Sequence, residues 1–377
     1  MSTALVFGAN GVSGLALLDA LTASSSLEWK KIIAVSRRPP VLDHQDDRVK
    51  FVSVDLLGDV DDLASKLQEA GGEEATHVAF YAYVAKSEEN ELIEVNRKLF
   101  GNSLEAVSRV APNVKAFLLQ TGYKYYGVHK GGKYLAPTPF KEDAPRHRGD
   151  NFYFVQEDML REAAQKNGWG WLVVRPNFIH GVSLGNFMSF ATTVALYASA
   201  RKAANQPLVF PGSSASYNLK YDHSTASNNA AFQLFALQNE KAYNRTFNIH
   251  DGQPVAWNKL WAKIADYFGV KLASPPVDPL PSSSTAGEDV AILHSTAEWS
   301  ASQQSTFDNL VAEQGLDKKA FDYATWDFLD FGTARTWPDQ ASLDEARSIG
   351  WDKSVDTFEE GFKKVFERLK ELKVIPK

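Results

Sequence analysis

An apolar strand, Ala4-Leu5-Val6-Phe7, runs directly into Gly8-Ala9-Asn10-Gly11-Val12-Ser13-Gly14 and then into the helical pattern Leu15-Ala16-Leu17-Leu18. Few folds accommodate that order. Glycines at the end of a strand let the backbone turn tightly and approach a pyrophosphate. The helix that follows aims its unpaired first N–H groups and the positive end of its dipole at the anion. The spacing is Gly-x-x-Gly-x-x-Gly, through Gly8, Gly11 and Gly14, and the flanking strand and helix supply the context a bare glycine pattern lacks. The alternative is a turn whose glycines only pack.

The rest of the first half repeats a strand-helix rhythm. Strands are predicted at 31–36, 49–56, 77–82 and 116–122, with helices at 59–70 and 91–110 between them. Alternation of this kind builds a parallel, doubly wound sheet covered by helices on both faces. A sixth strand, Trp171 to Pro176, stops at proline, and a last strand is expected at 246–250. Helices are predicted at 151 onward, 187–201, 224–237, 257–268 and 357–369, a turn-rich link at 208–216, and an exposed Pro/Ser-rich loop at 272–289. The expected organisation is a nucleotide-binding domain over 1–176, to which 217–252 returns, and a smaller, mostly helical substrate lobe from 177–216 and 253–377.

Strand ends in such a sheet face the ligand crevice. The second strand ends in Ser36-Arg37-Arg38 rather than in an acid that would accept the ribose 2′-hydroxyl of NAD. Two arginines suit a 2′-phosphate, so NADP(H) is the expected cofactor; a solvated basic loop is the alternative. Asp55 and Leu56, ending the third strand, are placed to meet adenine, or Asp55 caps the next helix. A net charge of −6 offers no basic field for nucleic acid, and no apolar run approaches a membrane span. The absence of cysteine excludes disulfide and thiolate chemistry. With a core strand starting almost at Met1, the cytoplasm is the expected compartment. The eight histidines show no metal-ligand spacing, so no metal site is expected.

Several segments, in order, resemble the extended short-chain dehydrogenase/reductases, and among them the progesterone 5β-reductase/iridoid synthase-like enone reductases. They are the glycine turn, Ser36-Arg37-Arg38, Asp55-Leu56, Leu119 to Tyr126, Asn151-Phe152-Tyr153-Phe154, Arg175 to Gly181, Pro207 to Gly212 and Ala256 to Val270. The resemblance implies that Tyr153 and Lys124 are catalytic. It also implies that Gly8, Asn10, Gly11, Val12, Gly14, Ser36, Arg37, Arg38, Asp55, Leu56, Gln120, Tyr153, Pro176 and Ile179 hold NADP(H). Chemically, the pair is sensible: a phenol aimed at the carbonyl oxygen of an enone can donate to the developing enolate, while a nearby lysine favours phenolate and can orient the ribose. The family pattern is broken at Phe154 (tyrosine in the family), Tyr125 (histidine) and Tyr83 (tryptophan in plant members). Tyr83, Phe178, Phe187 and Met188 are candidate pocket residues. Two other motifs compete: Tyr126-x-x-x-Lys130 has ordinary dehydrogenase spacing, and Gly181-Val182-Ser183-Leu184-Gly185 imitates a hydrolase elbow. Where the ordinary spacing would put its lysine after Tyr153, the chain has Glu157. The expected function is NADPH-dependent reduction of an activated C=C bond in a small apolar carbonyl substrate. Carbonyl reduction and non-catalytic NADP sensing are the alternatives. The oligomeric state stays open, a homodimer being one arrangement.

Overall fold

The structure, a computed structural model, describes residues 1–42, 44–277 and 291–377. Its central sheet has seven parallel strands: β1 (Ser2–Phe7), β2 (Trp29–Ser36), β3 (Val49–Ser53), β4 (His77–Phe80), β5 (Ala116–Gln120), β6 (Gly170–Pro176) and a last strand, Arg245–Ile249. The spatial order is Arg245–Ile249, β6, β5, β4, β1, β2, β3. The order reverses between β1 and β4, which opens a crevice beyond their carboxyl ends.

Period-two alternation assigns the faces. Leu5, Phe7, Ile33, Val35, Phe117, Leu119 and Val173 pack with α2 (Val60–Glu69), α3 (Glu89–Val110) and α4 (Phe152–Asn167). Ala4, Val6, Ile32, Ala34, Leu118, Leu172 and Val174 pack on the other side with α1 (Val12–Ala23) and helix Ala226–Leu237. Each large apolar side chain so buried stabilises the fold by about 1.5–3 kcal/mol. A third core, around Phe190, Tyr197, Trp257, Trp261, Phe362 and Phe366, joins α5 (Phe190–Ala203), helix Trp257–Phe268 and the C-terminal helix.

Several boundaries move. β3, β4 and β5 end two or three residues before the predicted limits, because their last residues turn away from the ladder into the crevice. α5 begins at Phe190, so Phe187 precedes it. Ser224 belongs to a short parallel pair, Phe178–His180 with His223–Thr225, rather than to a helix. The link at 208–216 is bridged to Leu272 and Ile292 and holds the start of a short helix, Ser214–Asn218. The C-terminal helix opens with a π-helical stretch, Thr357–Lys363. Residues 344–351, expected in the substrate lobe, send Ala346, Ile349 and Trp351 to the sheet core beside Phe232 and Phe247. The Pro/Ser-rich loop lies largely outside the described residues; Ala273, near its start, donates to the Leu208 carbonyl.

One buried ion pair fixes α4 against β6. Glu157 and Arg175 are almost wholly enclosed, and Arg175 Nη2 donates to both Glu157 carboxylate oxygens at 2.9 and 3.1 Å. Arg161 adds a further bond to Glu157 at 3.1 Å, and Arg175 also reaches Tyr126 Oη at 3.1 Å. Removing one partner strands the other's charge in a dry interior. Glu157→Ala is therefore expected to cost about 3–5 kcal/mol of unfolding free energy, measured by chemical denaturation.

Candidate functional site

The glycine turn sits where β1 leaves the sheet, with the N–H groups of Gly8 and Ala9 donating to the Val35 carbonyl. Gly8 has φ +75°, and a Cβ there would lie 2.7 Å from Ala82 N; one on Gly14 would lie 2.3 Å from Gly8 O. These two glycines are demanded by the chain's own packing. Gly11 differs: its Cβ would meet only Gly8 O, at an ordinary 3.4 Å, so the chain itself leaves that space open. Asp59 and Asn151 cap α2 and α4 with side-chain oxygens, whereas α1 has no side-chain cap. An uncapped helix start behind a glycine cradle is the arrangement an anionic phosphate fits.

At the tip of β2, the Ser36 hydroxyl donates to the Arg38 carbonyl at 2.7 Å and the Ser53 hydroxyl to the Arg37 carbonyl at 3.2 Å, shaping the arginine turn. Arg37 is exposed, and its guanidinium has no partner among the described residues. Arg38 leans toward the Gly185 carbonyl at 3.5 Å. Other predicted cofactor residues are differently engaged. Asp55 Oδ1 accepts from Leu57 N at 3.0 Å and closes a turn, α2 being capped by Asp59. Leu56 is buried in the sheet core. The Gln120 amide is held between Ser13 and Gln233. Asn10 offers its carbonyl to Ser183, and Val12 packs where a Cβ on Gly181 would come within 2.8 Å of it. Pro176 is buried, its carbonyl beside Gly122, and Ile179 is half-buried in the short strand pair.

Lys124 lies in a 3₁₀ turn, Tyr123–Tyr126, directly after β5, and Tyr153 is the second residue of α4. A Cβ on the intervening Gly122 would stand 3.4 Å from the Tyr153 hydroxyl, so glycine leaves that hydroxyl room at the sheet edge. The Tyr153 ring is 4.2 Å from that of Phe152, and Phe152 is 5.4 Å from Tyr83. The Lys124 ammonium lies 5.9 Å from the ring centroids of both Tyr83 and Phe152. Burial pushes the Tyr153 phenol well above its ordinary pKa, with Tyr83 adding to the effect. Burial pushes Tyr83 up to about 12, and the Glu89 carboxylate adds to this. Lys124 moves the other way, lowered by burial against the opposing pull of Glu89. Burial thus favours the neutral phenol of Tyr153, in the opposite sense to the phenolate that a nearby lysine favours.

A single amide joins the two residues. Asn151 Oδ1 accepts from Tyr153 N at 2.9 Å, and Asn151 Nδ2 donates to the Lys124 carbonyl at 2.8 Å and to His147 Nε2 at 3.0 Å. In the sequence Asn151 reads only as a helix cap; its donor side reaches back 27 residues, a contact that no local pattern encodes.

A family model described as a PRISE-like Rossmann-fold domain matches residues 4–376. The chain belongs to the PRISE-like family. It is 33% identical to the short chain dehydrogenase gsfE of Penicillium aethiopicum over 384 residues, covering 100% of this chain and 99% of the relative. It is also 33% identical to the 3-oxo-Delta(4,5)-steroid 5-beta-reductase of Arabidopsis thaliana over 276 residues, covering 72% and 70% respectively. UDP-glucuronic acid 4-epimerase from Bacillus cereus, solved in complex with NAD, shares the fold at a TM-score of 0.64 and 14% identity, over 98% of this chain and 99% of that one. This PRISE-like chain is an oxidoreductase of the short-chain dehydrogenase/reductase type.

Tyr125 and Phe154, two of the departures from the family pattern, pack edge to face at 5.1 Å in a cluster with Tyr123, Tyr126 and Phe140, with Arg175 3.3 Å from the Tyr125 ring centroid. Only the third, Tyr83, borders the pair. Both competing motifs resolve as structure. Tyr126 is buried, its hydroxyl donating to Asn248 Oδ1 at 2.6 Å, and Lys130 reaches the Asp150 carbonyl. The Ser183 hydroxyl is buried and donates to the Asn10 carbonyl at 2.7 Å. Of the predicted pocket residues, Phe178 is buried against Phe190 and Phe328, Met188 is half-buried, and Phe187 is 62% exposed. Among the described residues no His/Asp/Glu group is arranged to hold a metal, and no helix is long and apolar enough to cross a membrane.

Asn151→Ala removes the cap and both donor bonds and is expected to lower unfolding free energy by about 2–3 kcal/mol. Asn151→Asp keeps the cap on Tyr153 N and should lose roughly half of that, both read by urea denaturation.

Proposed function

We propose that this chain reduces C=C bonds conjugated to a carbonyl, using NADPH, with Tyr153 as donor to the carbonyl oxygen and Lys124 as its supporting cation. One observation carries the reading. The Tyr153 hydroxyl is kept protonated by burial, has no hydrogen-bond partner among the described residues, and lies beside Gly122 at the ligand-facing edge of the sheet. The steroid reductase relative, named for acting on a 3-oxo-Delta(4,5)-steroid, supports the same class of reaction.

The dinucleotide, when bound, supplies the hydride that adds to the β-carbon. As it adds, negative charge gathers on the substrate's carbonyl oxygen. A neutral phenol aimed there strengthens its hydrogen bond as the charge develops, without having to give up water first. Lys124 adds positive potential in a desolvated setting, where a charge acts more strongly than in water. Tyr83 and Phe152 border the pair with aromatic faces suited to an apolar substrate. Asn151 holds the backbones of both residues in register, so their separation does not depend on two independent loops. The cradle at Gly11 and the uncapped start of α1 fit the pyrophosphate, and the unpartnered Arg37 fits a 2′-phosphate, which it can meet with two parallel N–H bonds.

Steady-state turnover of an enone with identification of the product tests the reading. A saturated carbonyl product supports C=C reduction, an allylic alcohol shows carbonyl reduction, and tight NADPH binding with no turnover across enones and aldehydes shows a sensor. Tyr153→Phe is expected to lower kcat by about 10²-fold, the cost of one oxyanion donor. The pH profile separates the partners. A lysine whose pKa is lowered sheds its proton earlier as pH rises, whereas the phenol keeps its own beyond the ordinary tyrosine range. Activity should therefore fall on the alkaline side with an apparent pKa below 10.5, and Lys124→Met should give a lower rate without that limb. Arg37→Ala should weaken NADPH by about tenfold and leave NADH unchanged, by fluorescence titration.

A further inference from the structure

We propose that Ser13 donates its hydroxyl proton to the dinucleotide's pyrophosphate, and that Gln233, acting through Gln120, is the positioning residue that aims it. The proposal rests on the dinucleotide-binding reading above and concerns side chains that the glycine pattern does not specify.

Three hydrogen bonds run in one direction beneath the turn. The Tyr81 hydroxyl, just past the end of β4, donates to Gln233 Oε1 at 2.6 Å. Gln233 Nε2 donates to Gln120 Oε1 at 2.9 Å, and Gln120 Nε2 donates to Ser13 Oγ at 2.8 Å. An amide accepts at oxygen and donates at nitrogen, so the direction set at Tyr81 is passed unchanged through both glutamines. It arrives at Ser13 as an accepted bond, and the serine's own proton is left to find an acceptor elsewhere.

Other helical serines in this chain turn that proton back on the preceding turn: Ser103 to Leu99 O, Ser108 to Leu104 O and Ser199 to Ala195 O. Ser13, the second residue of α1, has no helical turn before it to accept, and among the described residues its proton has no acceptor. The residue stands in the first turn of α1, half-buried, one position past Val12 and two past the open Gly11. A hydroxyl so placed, with its oxygen already engaged, presents its proton to an anion at the helix start. The accepted bond narrows the hydroxyl's rotor before binding, which lowers the ordering cost of the bond it then makes. Gln233 is fully buried and comes from helix Ala226–Leu237, so the distal half of the chain helps set the phosphate site.

The test is a double-mutant cycle read by NADPH fluorescence titration, with adenosine 2′-monophosphate as a probe that lacks the pyrophosphate. Ser13→Ala should weaken NADPH by about tenfold, the loss of one hydrogen bond to a charged group. Gln233→Met should weaken it by a smaller factor, and the double variant should be no worse than Ser13→Ala alone. All should bind adenosine 2′-monophosphate like the parent chain. If Gln233→Met does not fold, Gln233→Glu keeps the size and the Tyr81 bond while lacking the Nε2 donor, and should show the same loss. Unchanged NADPH affinity in Ser13→Ala, additive losses in the double variant, or equal weakening of the pyrophosphate-free probe would each overturn the relay. A parent chain that binds no dinucleotide would instead overturn the reading on which the relay rests.

Discussion

The geometry of the site depends on a charge pair that touches no reacting atom. Glu157 is four residues beyond Tyr153 on the same helix, and its bond to Arg175 pins that helix to the strand whose end, Pro176, lies beside Gly122. With the pair closed, the start of α4 sits at the carboxyl edge of the sheet. The pair also explains why the supporting lysine cannot come from that helix. An ammonium at position 157 would face the enclosed Arg175 guanidinium, an uncompensated contact in a dry interior. In the function proposed above the cation comes instead from Lys124, in the turn that follows β5.

Supplying the two groups from different elements creates a problem of register, which Asn151 addresses. Its acceptor holds the first turn of α4 and its donor holds the turn after β5, so one planar amide sets both. Burial then divides their chemistry: it raises the phenol and lowers the ammonium, leaving a neutral donor beside a cation that is held less firmly. In the reduction proposed above, where an oxygen becomes anionic only during the reaction, a donor that stays protonated is the useful state.

Much of the architecture is legible in the sequence because it follows from local chemistry. The alternation of Leu5 and Phe7 with Ala4 and Val6 specifies a strand covered on both faces, and the glycine turn specifies what must follow it. The order of segments points to Tyr153 and Lys124 through resemblance. What local pattern misses is long-range. Leu56 is placed by its strand end to meet adenine, and its burial against the core of α2 and α3 follows from contacts that the strand pattern does not encode. Gln120 stands at a strand end where ligands bind, yet its amide is claimed by Gln233, 113 residues away. Phe187 fits a helical apolar stripe, but the helix starts three residues later and leaves it in solvent. Side-chain partners distant in sequence are invisible to periodicity.

The bond from Ser183 to the Asn10 carbonyl has a consequence for how the lobes can vary. It fastens the loop that follows the short strand pair to the glycine turn after β1, and Arg38 leans on the same loop at Gly185. Two sites that share a fastening share free energy, and the coupling acts equally in both directions. A change of shape in residues 181–188 is therefore felt at the glycine turn as well.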